Sequence, residues 1–207
     1  MHLGRPHNAL IPTLDGDVLV VLAGTTRPLT GRDVAKLARH GSQRAVASVL
    51  DRLSSQGLVD REQAGRAYLH SLNRRHLLAP LVEELAGVWT NLLDRVREAL
   101  ASWEVAPVHA SLFGSAARRD GGVESDLDLF IVRPHGTDAE DDQWTSQLAA
   151  LAEEVLAWTG NHASIVELGA DEVPNLVRTA PPVLASLRSD GIDLFGVPLR
   201  QLLEIAT

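Results

Sequence analysis

The chain has no cysteine among its 207 residues. That excludes a disulfide framework, a thiolate metal site and a cysteine nucleophile. No apolar run approaches the roughly 20 residues that a helix needs to cross a bilayer. The opening residues, MHLGRPHNALIP, lack the apolar core of a signal peptide. Internal repeats and low-complexity tracts are also missing. What remains is ordinary for a globular protein, 45% hydrophobic and 22% charged. The expectation is a soluble cytoplasmic protein with no membrane partner, long enough for one large domain or two small ones.

The net charge of −8 is unevenly spread. Residues 1–75 carry eleven Lys and Arg against six Asp and Glu, a balance of +5. Residues 76–207 carry eight against twenty-one, a balance of −13. Two modules with different partners follow from this asymmetry. A basic first module suits nucleic acid, whereas the acidic remainder repels a duplex unless a metal or local arginines intervene.

Within the first module, an apolar helix over 14–22 ends at Gly24. Thr30 is a good N-cap for a helix through His40, with Asp33 at the capping-box position. Ser42 caps a second helix to about Gln56, with Val46, Val49, Leu50 and Leu53 inward and Gly57 at its stop. Leu58 and Val59 begin an extended segment, Gly65-Arg66 turns, and 67–72 returns. Two helices with a short glycine-containing turn and then a hairpin resemble a winged helix-turn-helix domain of bacterial regulators. That resemblance implies that Ser42, Gln43, Arg44, Ser48 and Arg52 face the major groove, with Arg61 and Arg66 near phosphates on the wing. Such domains also serve in dimerisation or protein docking.

Over 76–103, Leu77, Leu78, Leu81, Val82, Leu85, Trp89, Leu92, Leu93, Val96 and Leu100 recur at three- and four-residue steps. The spacing predicts a linking amphipathic helix over 76–105, which is also a candidate homodimer seam. Pro80 lies near its start. Beyond it the pattern alternates in the α/β manner. Strands are expected over 108–112, 127–132 and 163–168. Helices are expected over 115–119, 141–158 (Trp144, Leu148, Leu151, Val155 and Leu156 inward), 173–179, from Pro181-Pro182 to Ser189, and 199–205. Residues 191–196 read as a short hairpin-like piece. The domain expectation is thus 1–75, a linker over 76–105, and 106–207.

Chemistry concentrates in HASLFGSAARRDGGVESDLDLFIVRP, residues 109–134. Asp126 and Asp128 are two residues apart in an apolar run, so strand alternation projects both carboxylates from one face. Side-by-side like charges repel, which a purely structural strand avoids. A divalent cation removes the objection, since Mg²⁺ is commonly held by one or two carboxylates plus substrate phosphates. Gly114 between a strand and a short helix lets backbone approach a ligand, and Ser115 adds a hydroxyl donor.

Phe113-Gly114-Ser115-Ala116-Ala117-Arg118 and Ser125-Asp126-Leu127-Asp128-Leu129, with ten residues between Ser115 and Asp126, resemble the DNA polymerase β-like nucleotidyltransferases in their minimal form. Arg119 stands where that pattern commonly has glycine, followed by Asp120 in its acidic place. The resemblance implies an α/β (α+β) nucleotidyltransferase core with a mixed sheet, preceded by the mostly helical winged-helix domain. It implies transfer of a nucleoside monophosphate from an NTP to an acceptor hydroxyl, with two Mg²⁺ ions on Asp126 and Asp128. Gly114, Ser115, Arg118 and Ser125 would bind the nucleotide. Arg118 would neutralise the leaving pyrophosphate, or pair with Asp120 or Glu124.

The family's usual third carboxylate is less clear. Ser164 aligns with it, and Glu167, of opposite strand parity, either completes a catalytic triad or only caps the strand end. His109 reads as packed, and His162 as a possible pocket lining. The acceptor is a protein side chain, an RNA end or a small molecule, and related minimal enzymes act as antitoxins on a partner toxin. The alternative function is a DNA-binding regulator whose nucleotidyltransferase domain senses nucleotide or is inactive. A pure interaction module is a third.

Overall fold

A computed structural model describes residues 1–205. The chain folds as two compact units: Pro6–Trp89, and Met1–Arg5 together with the chain from Thr90 onward.

The Pro6–Trp89 unit contains α1 (Leu14–Ala23), β1 (Leu29–Thr30), α2 (Gly31–Ala38), α3 (Gln43–Ser55), β2 (Val59–Ala64) and β3 (Ala67–Leu72), and the first part of α4 (Ala79–Ala101). Local chemistry sets the boundaries. The Thr30 hydroxyl accepts from Asp33 N at 3.2 Å while the Asp33 carboxylate accepts from Thr30 N at 3.4 Å, a complete capping box. Ser42 caps α3 by accepting from Ala45 N at 3.1 Å. Gly57 ends it in the left-handed region at φ +76°. Val18, Leu22, Val34, Val46, Leu50 and Leu53 form the core with Val59 and Leu72, while Val49 is only half-buried at its edge. The sheet order is β1-β3-β2, all antiparallel. Sequence periodicity did not reveal β1, because two residues carry no period.

The second unit continues through the rest of α4 to β4 (His109–Phe113), α5 (Gly114–Arg118), β5 (Leu127–Arg133), α6 (Asp142–Thr159), β6 (Ala163–Gly169), α7 (Val173–Thr179), α8 (Pro182–Asp190), β7 (Ile192–Gly196) and α9 (Leu199–Ile205). Its sheet order is β6-β5-β4-β7, with β5 and β6 parallel and the other pairs antiparallel, so the sheet is mixed. Residues 192–196 are not a hairpin but a strand pairing with β4, a partner too distant in sequence for local pattern to reveal. One sheet face packs Phe113, Phe130 and Val132 against Val173, Leu176, Leu184, Leu187 and Leu199. Alternation sends Leu127, Leu129 and Ile131, all buried, to the other face. On α6, Trp144, Leu151 and Val155 are buried, but Leu156 is exposed. It lies one position off the stripe that the other three define.

The linker expected over 76–105 is not a unit of its own, since the division falls inside α4 between Trp89 and Thr90. Pro80 sits in the first turn of α4, where its missing N–H is harmless. Leu77, Leu78 and Leu81, expected in the apolar stripe, are 89%, 47% and 59% exposed. Among the described residues no helix is long and apolar enough to cross a membrane.

Candidate functional site

β4 is buried along its whole length and delivers the chain to Gly114 at the start of α5. Phe113 pairs with Asp128 in the antiparallel register, so the turn after β4 lies beside that carboxylate. Gly114 has φ +70°, and a Cβ there would stand 2.4 Å from Asp128 Oδ2. Only glycine permits both the left-handed backbone and this approach. Ser115 follows on α5, half-buried, and its carbonyl accepts from Asp120 N at 3.0 Å and Gly121 N at 3.2 Å, which folds the loop after α5 back on its start.

Asp126 is exposed just before β5, and Asp128 is half-buried within it. Burial raises the Asp128 carboxyl above its ordinary value, the Asp126 charge raises it further, and Arg118 opposes both. The repulsion anticipated from the Asp126-Leu127-Asp128 pattern is therefore present. Arg118 donates from Nη1 to Asp190 Oδ2 at 2.6 Å and from Nε to Asp120 Oδ2 at 3.1 Å. Of the two surface pairings considered for it, Asp120 is found; the stronger contact is with Asp190 at the end of α8. The Arg118 contact holds Asp190 below its ordinary pKa, with the Ser189 hydroxyl contributing next.

Ser125 faces inward on its own loop, where its hydroxyl accepts from Gly122 N at 2.8 Å. Arg119, at the position where glycine was anticipated, has φ +59°, the left-handed conformation for which glycine is the natural residue.

The structure does not bring Glu167 to this pair. In the parallel register Asp128 lies opposite Ser164, and Glu167 lies opposite Ile131. Glu167 therefore projects from the other face of the sheet, where it ion-pairs with Arg133. A register set by strand pairing, not by the Gly160-Asn161 turn, decides this. Among the described residues no third His, Cys, Asp or Glu joins the two aspartates in a metal-binding group. The donor set is two carboxylates beside a glycine turn, which fits a hard divalent cation that fills its remaining positions with water and phosphate oxygens.

His109 is fully buried, its ring bonded to Val197 O at 2.7 Å and Ser111 Oγ at 2.9 Å, and burial lowers its pKa. It is a packed core group. His162 is exposed at the start of β6, and its carbonyl accepts from Leu127 N at 2.8 Å. Two residues near the site escaped sequence reasoning. Asp190 gave no signal, because its partner is 72 positions away. Asn161 was visible only as a turn residue, yet its Nδ2 donates to Val123 O and Ser125 O, both at 2.9 Å.

In the Pro6–Trp89 unit, Gln43 and Arg44 are exposed on the first turn of α3, and Ser48 is exposed one turn on. The Ser42 hydroxyl is engaged as the helix cap. Arg52 ion-pairs with Asp15 and donates to Gln56 Oε1 at 3.3 Å. Arg66 is exposed at the β2–β3 turn. Arg61 pairs with Asp51 at 2.9 Å and stacks 3.5 Å over the Tyr68 ring. The structure thus keeps Gln43, Arg44 and Arg66 on the surface and ties Ser42, Arg52 and Arg61 into local contacts.

Residues 93–179 match the family model described as "Nucleotidyltransferase domain". No curated protein matches the chain. Among solved structures, a toxin–antitoxin crystallised with AMP-PNP is 17% identical, covering 55% of this chain and 82% of that one at a TM-score of 0.38. A mutant of the toxin–antitoxin MntA–HpeT is 15% identical over the same shares, at a TM-score of 0.37. The family match contains Gly114, Ser115, Asp126 and Asp128 and supports a nucleotidyltransferase, a class that uses an NTP and a divalent metal.

Proposed function

We propose that the unit from Thr90 onward transfers a nucleoside monophosphate from an NTP to an acceptor hydroxyl. The observation that carries this is the approach of Gly114 to Asp128, 2.4 Å from a would-be Cβ to Oδ2, with Asp126 adding like charge alongside. A like-charged carboxylate pair beside a tight backbone turn is costly without a ligand and well matched to a metal-bound triphosphate. Asp126 and Asp128 would hold two Mg²⁺, which when bound neutralise the phosphates and polarise the acceptor oxygen. The Gly114-Ser115 turn would receive the β and γ phosphates through its backbone N–H groups and the Ser115 hydroxyl. Arg118, already protonated and paired with Asp190 and Asp120, would exchange one of these partners for the leaving group. The acceptor oxygen attacks the α-phosphorus, the bond to the bridging oxygen breaks, pyrophosphate leaves, and the acceptor proton passes to solvent. With Glu167 on the other face and Ser164 beside Asp128, β6 supplies no base for that proton. A protein hydroxyl, as in an antitoxin acting on a partner toxin, or an RNA end are the acceptor classes we propose.

The test is calorimetry with ATP, GTP, CTP and UTP in Mg²⁺ and then in EDTA. Mg²⁺-dependent binding of one nucleotide, lost in the Asp126→Asn, Asp128→Asn double variant, is the expected result. Binding that survives EDTA overturns the metal site.

A second reading concerns the Pro6–Trp89 unit. Its helix–strand–helix–helix–hairpin order, with Gln43 and Arg44 exposed at the start of α3 and Arg66 at the hairpin turn, supports a winged helix that grips duplex DNA. Anisotropy with labelled duplex at increasing salt tests it. Affinity should fall steeply with salt, and less steeply in Arg44→Ala. No binding at low salt removes this reading.

A further inference from the structure

The loop between α5 and β5, residues 119–126, ends on Asp126 and separates the two halves of the site. Contacts distant in sequence hold it from two sides. Leu3 is completely buried, and the Cβ position of Gly121 lies 3.2 Å from Leu3 Cβ and 3.2 Å from Ser115 Oγ. Gly4 N donates to Gly121 O at 2.9 Å, and Gly4 runs so close that a Cβ would stand 2.5 Å from Arg119 O. From the opposite end of the loop, Asn161, 3% exposed, spans Val123 O and Ser125 O with its one Nδ2 group, while its Oδ1 accepts from the Met1 amine at 2.6 Å. The loop has no strand or helix of its own. Its carbonyls at 121, 123 and 125 are therefore satisfied by these two visitors, alternate residues along one edge.

We propose that Leu3, Gly4 and Asn161 are positioning residues that brace this loop and so fix Asp126 relative to Asp128 and Ser115. The proposal rests on the reading of Asp126 and Asp128 as a metal site, and it adds to that reading a dependence on a segment more than a hundred residues upstream. All three meet the loop at its backbone or at Gly121. They act through the backbone that presents Asp126, in the way that outer groups orient metal ligands.

The test uses the full chain and three variants. Leu3→Ala and Asn161→Ala remove the brace from either side, and Leu50→Ala makes a core truncation of similar kind in the other unit, where Leu50 is 1% exposed. Hydrogen exchange is followed at the amides of 119–126, and Mn²⁺ affinity is measured by electron paramagnetic resonance with the metal alone. The expected result is faster exchange in this loop and about tenfold weaker Mn²⁺ binding for Leu3→Ala and Asn161→Ala, with neither change in Leu50→Ala. Unchanged loop exchange in both brace variants overturns the proposal, as does undiminished Mn²⁺ affinity where the loop has loosened. A wild type that binds no Mn²⁺ defeats the metal-site reading instead, and the loop exchange still decides whether the brace exists.

Discussion

The two units differ in what surrounds a left-handed glycine turn. Both carry ion pairs; the Pro6–Trp89 unit has Arg52 with Asp15, Arg61 with Asp51 and Arg74 with Glu83, and its buried His7 lies 3.0 Å from Asp17. Its left-handed glycine at the hairpin turn, Gly65, has open space around it. In the other unit Asp126 and Asp128 are like-charged neighbours, and one of its left-handed glycines, Gly114, is pressed against a carboxylate. Surface pairs and roomy turns are what stability alone produces. A repulsive carboxylate pair against such a turn is a cost that a bound cation would relieve.

The largest expected effect is functional and confined to one unit. The Asp126→Asn, Asp128→Asn double variant should lose Mg²⁺-dependent nucleotide binding while retaining whatever duplex affinity the wild type shows, read by calorimetry and anisotropy on the same preparation. Loss of both would show that the comparison divides the chain wrongly. Next comes a matched pair of glycines. Gly65→Ala, at φ +61° with nothing within 4 Å, should lose about 1 kcal/mol by denaturant unfolding. Gly114→Ala, at φ +70° with Asp128 Oδ2 at 2.4 Å, should lose more, about 2–3 kcal/mol, and displace Asp128. Equal losses would remove the argument from crowding.

Acid provides a smaller and shared effect. Each unit buries a histidine whose pKa lies below the ordinary 6.5, His70 in one and His109 in the other, chiefly because burial disfavours the charged form. The unfolded chain then binds protons that the folded chain refuses, so stability is complete above 6.5 and is lost as pH falls below it. The melting temperature should decline across that range, and replacing either histidine with glutamine should flatten the decline. The smallest effect concerns two arginines in the left-handed region, Arg39 at φ 58° after α2 and Arg119 at φ 59° after α5. Each change to glycine should stabilise by up to about 1 kcal/mol, measured by thermal melting. A gain at Arg39 without one at Arg119 would show that the Arg119 side chain contributes to its loop.

Much of this was legible in the chain. Thr30 with Asp33 and Ser42 before α3 announced two helix starts, and the apolar steps of α3 and α6 located their inner faces. The joint spacing of Gly114-Ser115 with Asp126-Leu127-Asp128 singled out two stretches that the fold brings together, Gly114 against Asp128. Other features were out of reach. Glu167 looked eligible as a third carboxylate because it is the only acid in its strand, yet parallel pairing turns it to the other face beside Arg133. Leu156 looked inward because it is apolar, and it is exposed because helix geometry spares one flank.

By itself the sequence determined the caps, the periods, the glycine turns and the motif, since each depends on residues within a few positions of one another. Tertiary structure decided which strand neighbours which, that β7 adds to β4, that Arg118 meets Asp190, and that Leu3 and Asn161 close on the loop before Asp126. Those pairings join parts of the chain separated by tens of residues or more. They are set by the register of the sheet and the packing of its faces, and no local pattern encodes either.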